Sequence, residues 1–111
     1  MYLVLVNYVQ PLSVIDNLLP AHREFLEANY RSGLFLVSGP REPRTGGIIL
    51  ARAGSREELA QVLDQDPFTL AGAARYEIIE FKATRAGKAL AILLDGECDN
   101  CGGGAAKPSG R

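Results

Sequence analysis

Tyr2-Leu3-Val4-Leu5-Val6-Asn7-Tyr8-Val9 is the stretch whose reading decides the fold. Nearly every residue favours an extended backbone, and both alternating rows are apolar: Leu3 and Leu5 on one side, Val4 and Val6 on the other. A strand reads this way when both of its faces are covered. The question for the rest of the chain is what covers each face.

Working outward, Pro11 and Pro20 bracket the approach to a helix over about residues 18–32. Leu18, His22, Phe25, Leu26 and Asn29 share one face of it, Arg23, Glu24, Glu27 and Arg31 lie elsewhere, and Gly33 ends it. Leu34 to Ser38 reads as a strand. Gly39-Pro40-Arg41-Glu42-Pro43-Arg44-Thr45-Gly46-Gly47 reads as a loop, and Ile48 to Arg52 as the next strand. Ser55 with Glu58 three residues on is a capping box, opening a helix that carries Leu59, Val62 and Leu63 and stops by Pro67. Ala74 to Lys82 is the last strand. The order β-α-β-β-α-β predicts an α+β, ferredoxin-like fold with an antiparallel sheet. Both helices then cover one sheet face, and the doubly apolar first strand needs a cover for the other. A second copy packed sheet to sheet makes the chain a homodimer. The competing cover is Ala89-Leu90-Ala91-Ile92-Leu93-Leu94, folded back over the same face.

Composition bounds the function. The chain has 111 residues, 47% apolar and 23% charged, with a formal net charge of −1. That is one domain, ordered over most of its length, without the basic excess a nucleic-acid or polybasic membrane binder needs. No apolar run is long enough to span a bilayer, and the N-terminus lacks the basic start and cleavage site of a signal peptide, so the expected location is cytoplasmic. Residues 95–111 hold five of the twelve glycines and no periodicity. They read as a mobile tail after a domain over 1–94. Cys98-x-x-Cys101 lies in that tail and supplies two soft ligands where a structural zinc site wants four, so no metal is expected.

Chain direction sorts the polar residues. The first strand ends at Asn7–Tyr8 at what we term the top. The first helix starts there, with His22 in its early turns. The second strand ends there at Ser38, the Arg41–Gly47 loop follows, and Asp66-Pro67-Phe68 arrives there after the second helix. Tyr8, His22, Ser38, Arg41, Arg44, Asp66 and Phe68 thus gather from separate segments. Two readings of His22, the only histidine, stand side by side: a hydrogen-bonded core histidine, or a general acid/base. Asp66 is either a turn or C-cap aspartate, or the carboxylate that fixes the imidazole tautomer. Arg41 and Arg44 are either solvated loop cations or holders of an anionic group. Tyr8, Ser38 and Phe68 complete the candidate ligand contacts.

Taken together, His22-Arg23-x-Phe25-Leu26, Ser38-Gly39-Pro40, Pro43-Arg44-Thr45-Gly46-Gly47-Ile48-Ile49-Leu50-Ala51, Asp66-Pro67-Phe68 and Tyr76-x-Ile78-x-x-Phe81 resemble the YciI-like (YCII-related) family. The likeness covers residues 2 to about 85. It implies a ferredoxin-like unit that dimerises as an α/β barrel, and a pocket centred on a His–Asp pair that maps onto His22 and Asp66. Related dimeric barrels handle small, often cyclic organic molecules by isomerase, lyase, dehalogenation or oxygenation steps, in several cases without a cofactor. The expected function is therefore a cofactor-independent enzyme that moves a proton on a small cyclic substrate through His22, with Asp66 orienting it. The alternative is a non-catalytic small-molecule binding or stress-response module. An accessible cavity beside His22 separates these readings from a histidine packed on all sides.

Overall fold

Strand β1 (Tyr2–Tyr8) lies inside a four-stranded antiparallel sheet of order β2-β3-β1-β4, with β2 at Phe35–Pro40, β3 at Gly46–Ala51 and β4 at Ala74–Glu80. A computed structural model describes residues 1–94. Cys98, Cys101 and the glycine-rich segment from 95 lie outside the described residues. The chain is α+β and ferredoxin-like, as the element order predicts.

Register accounts for the two apolar rows of β1. Val4 sits opposite Ile49 and Ile78, Val6 opposite Gly47 and Tyr76, and Tyr2 opposite Ala51. This row is buried together with Ile15, Leu59, Leu63, Phe35 and Phe68 to form the core. Each such side chain taken from water contributes about 1.5–3 kcal/mol. The other row pairs Leu3 with Leu50 and Ile79, and Leu5 with Ile48. Val37, at 58% exposure, Ile48 and Ile79 on that row are exposed. The apolar face read from the sequence is thus present in the sheet.

Helix α1 runs from Leu12 to Arg31, not from residue 18, and Pro20 lies inside it. Pro11 begins it, its carbonyl accepting from the Val14 and Ile15 N–H groups at 3.0 and 3.2 Å. Proline inside a helix deletes one backbone bond and costs about 3 kcal/mol. The stripe that outweighs this loss continues N-terminal to Pro20. Ile15 is fully buried, and Val14, Leu18, Leu19, Phe25 and Leu26 pack on the same core. Gly33, at φ +85°, ends the helix in the left-handed conformation that disfavours other residues.

Helix α2 (Arg56–Leu63) opens as expected: the Ser55 hydroxyl accepts from the Glu58 N–H at 3.0 Å. The Glu58 carboxylate reaches back one residue further than a standard box, to the Gly54 N–H at 3.0 Å. A further one-turn helix, α3 (Pro67–Leu70), was not foreseen. Gly46 has a steric reason: a Cβ there would stand 1.8 Å from the Val6 carbonyl oxygen, so β3 can approach β1 only with glycine at this position. Strands β1–β4 and helices α1–α3 form one compact unit, Tyr2–Glu80. Among the described residues, Met1 and residues 81–94 form another, in which the Phe81 N–H bonds the Met1 carbonyl at 3.0 Å and Lys88–Leu93 form a 3₁₀ helix. Among the described residues, no helix is long and apolar enough to cross a membrane.

Pro20 is solvent-exposed, so replacing it removes no core contact. Pro20→Ala is expected to raise the unfolding free energy by about 1–2 kcal/mol, by restoring an N–H to α1 against a small gain in unfolded-chain entropy. Urea denaturation measures the change. A lowered midpoint would show that the proline is needed where it stands.

Candidate active site

Asp66 is fully buried, and each of its oxygens has a partner. Its backbone is extended and Pro67 follows as the first residue of α3. Proline suits that place because its fixed φ is helical and the N–H it lacks would find no partner there. The Asp66 carboxylate caps the helix by accepting from the Phe68 N–H at 2.9 Å. The same oxygen, Oδ1, meets His22 Nδ1 at 2.9 Å, and Oδ2 accepts from the Tyr76 hydroxyl. One carboxylate therefore joins α1, α3 and β4. The turn or helix-end role open to it from sequence resolves into the N-cap of a helix too short to show periodicity.

A carboxylate only accepts hydrogen bonds, so the Asp66 contact assigns the proton of neutral His22 to Nδ1. Nε2 is then the nitrogen with a lone pair for a ligand. Phe68 fixes the ring plane, stacked on the imidazole with centroids 4.0 Å apart and 12° between planes. Phe25 flanks it at 6.3 Å, and Tyr8 meets Phe68 edge-on at 5.8 Å. His22 keeps 12% of its side chain accessible. It lies near the middle of α1 rather than in its early turns, because the helix begins at Leu12.

The accessible edge faces a cavity of about 380 Å³, within the usual range for small-ligand sites. Val6, Leu19, Leu26, Ile49 and Phe68 give it apolar walls. Tyr8, Asp16, His22, Arg23, Ser38 and Arg44 bring polar groups to it. Of the residues singled out from sequence, Tyr8, His22, Ser38, Arg44 and Phe68 therefore line one space, with Asp66 behind the imidazole. Ser38 is hydrogen-bonded to the Tyr30 hydroxyl. Arg41 does not line the cavity: its guanidinium donates to Asn7 Oδ1 at 2.7 Å. Asn7 belongs to the Leu3/Leu5 row, on the opposite side of the sheet from His22.

Sequence reading missed Asp16, Arg23 and Tyr76. Asp16 and Arg23 stand seven residues apart, two turns of α1, and a helix read from about residue 18 does not include Asp16. Arg44 Nη2 donates to Asp16 Oδ1 at 2.5 Å. That bond, more than any other neighbour, holds the guanidinium above its ordinary pKa. Among the described residues, no group of three or more His, Cys, Asp or Glu side chains is arranged to hold a metal ion.

The profile of the YCII-related domain matches residues 1–82. A solved structure similar to the chain is 5-chloro-2-hydroxyhydroquinone dehydrochlorinase (TftG) from Burkholderia phenoliruptrix AC1100, in complex with 2,5-dihydroxybenzoquinone. The TM-score is 0.63 and the identity 24%, over 80% of this chain and 98% of the other, a likeness in fold. No curated protein matches the sequence.

Asp66→Ala leaves three donors without their acceptor, one of them the backbone N–H of a helix start. The expected loss of stability is about 2–4 kcal/mol, from the lost cap and the stranded polar groups. Chemical denaturation monitored by circular dichroism reads it. A loss below about 1 kcal/mol would mean that water or rearrangement replaces the carboxylate.

Proposed function

The chain belongs to the YCII-related domain family, and on that premise we propose that it is an enzyme that moves a proton on a small cyclic organic substrate held beside His22. The observation that carries this reading is the hydrogen bond from His22 to buried Asp66 at the wall of a ligand-sized cavity. A histidine serving only the core would not need an open edge on such a space.

In the proposed reaction, His22 Nε2 takes a proton from a ring hydroxyl or from a carbon beside a carbonyl. The imidazolium that forms is stabilised by the Asp66 carboxylate and by the face of Phe68. Returning the proton to a different ring position completes an isomerisation. Departure of a group such as chloride with the bonding electrons completes an elimination, with net loss of the acid. Tyr8 offers a hydroxyl to the substrate, and the apolar walls keep its ring out of water. No step calls for a cofactor.

We also propose that the chain works as a homodimer, a second copy covering the row Leu3, Leu5, Val37, Ile48, Leu50 and Ile79. Support comes from exposed apolar residues on a sheet whose opposite side carries the core formed with helices α1–α3. Stable interfaces bury about 1,200–2,000 Å², a scale suited to a sheet face. The expected solution mass is twice the 11.9 kDa of the chain, and Ile79→Lys should shift it toward the monomer. Light scattering reads both, and a wild-type monomer at all concentrations would overturn the dimer.

For catalysis, the chlorinated hydroquinone and the quinone that go with the similar structure supply the probes. The wild type is expected to release chloride from 5-chloro-2-hydroxyhydroquinone and to bind 2,5-dihydroxybenzoquinone. His22→Ala should lower chloride release by roughly 10²–10⁴-fold with an unchanged circular dichroism spectrum. Binding without turnover in the wild type would favour the non-catalytic module. Turnover that survives His22→Ala would remove His22 from the chemistry.

A further inference from the structure

The ion pair at the cavity separates two possible ligand charges. Asp16 comes from the second turn of α1, and Arg44 from the loop between β2 and β3. Both line the same cavity as His22, and they meet at 2.5 Å. Arg44 is the cation of the β2–β3 loop that reaches this space, since Arg41 is turned to Asn7. Arg44 also interacts with Tyr8. The guanidinium that an anionic substrate would use is thus already bound to a carboxylate of the same chain.

Resting on the reading of the cavity as a site for a small ring, we propose that Asp16 is a specificity-determining residue that reserves the cavity for rings whose polar groups are hydroxyl or carbonyl oxygens and excludes rings that carry a carboxylate. An incoming carboxylate could take Arg44 only by displacing that of Asp16. It would then lie beside a second negative charge that has lost its partner. Discrimination built in this way works by repulsion, against the unwanted ligand. Arg23, the other cation lining the cavity, lies seven residues after Asp16 on the same helix, so the lining as a whole is not anion-repelling. The effect is local to Asp16 and Arg44.

The pair can be altered without losing the fold. The Asp16 and Arg44 side chains are 54% and 37% exposed, and exposed ion pairs contribute little to stability. Asp16→Asn keeps the size of the side chain and removes its charge. Hydroquinone and 2,5-dihydroxybenzoate are suitable probes: rings of matched size that differ at neutral pH by one carboxylate. Titration calorimetry on the full chain is expected to find wild type binding hydroquinone at least tenfold more tightly than 2,5-dihydroxybenzoate. Asp16→Asn should tighten 2,5-dihydroxybenzoate by about tenfold and leave hydroquinone within twofold. Adding Arg44→Gln should erase that gain, which ties it to the freed guanidinium. The assignment is overturned if Asp16→Asn does not tighten the carboxylated ring, whether or not hydroquinone binds. It is also overturned if the gain survives Arg44→Gln. Chloride release by wild type and His22→Ala tests the proton-transfer reading separately, so either can fail alone.

Discussion

A buried carboxylate must find donors or carry a large desolvation penalty, and Asp66 finds three: the His22 imidazole, the Phe68 N–H and the Tyr76 hydroxyl. They come from α1, α3 and β4, the first of them 44 residues away in sequence. Satisfying one side chain therefore fixes the position of a helix, the start of a second helix and the side chain of an edge strand. It also fixes the tautomer and orientation of the only imidazole. Structural support and chemical preparation are here the same set of bonds, which is why the proton-transfer reading centres on this residue.

The second determinant is the length of α1. A helix that began after Pro20 would bring His22 to the sheet but would leave Asp16 outside the cavity. Because Ile15 and its neighbours bury enough apolar surface to outweigh an internal proline, the helix begins at Leu12. Asp16 is then carried to the cavity, where it meets Arg44 of the β2–β3 loop. Backbone energetics in one segment thus set the charge balance around a cation, Arg44, that comes from a different segment.

The sheet divides two tasks between its faces. Val4, Val6, Ile49 and Phe35 pack beneath the helices, with the cavity along the same side. Leu3, Leu5, Ile48 and Ile79 look the other way, with exposure that a partner copy would remove. Gly46 makes the sheet possible, because the Val6 carbonyl occupies the volume that any Cβ would need.

The fold was legible in the sequence because its signals are local. Runs of β-favouring, largely apolar residues bounded by turn residues marked the strands, the 3.6-residue stripe marked α1, Ser55 with Glu58 marked α2, and Gly33 marked a helix end. Chain direction was enough to bring Tyr8, His22, Ser38, Arg44 and Asp66 to one region. Family resemblance, rather than spacing, singled out His22 and Asp66 among them. Tertiary structure decided what local pattern could not. It carried α1 through Pro20, since core burial of Ile15 exceeds the helix-breaking cost. It made Asp66 the cap of a four-residue helix, too short to leave a periodic trace. It turned Arg41 to Asn7 and Arg44 to Asp16, although the two arginines stand three residues apart in one loop. Which carboxylate or amide each cation meets depends on pairings across 34 and 28 residues, and nothing in the loop's own sequence encodes those distances.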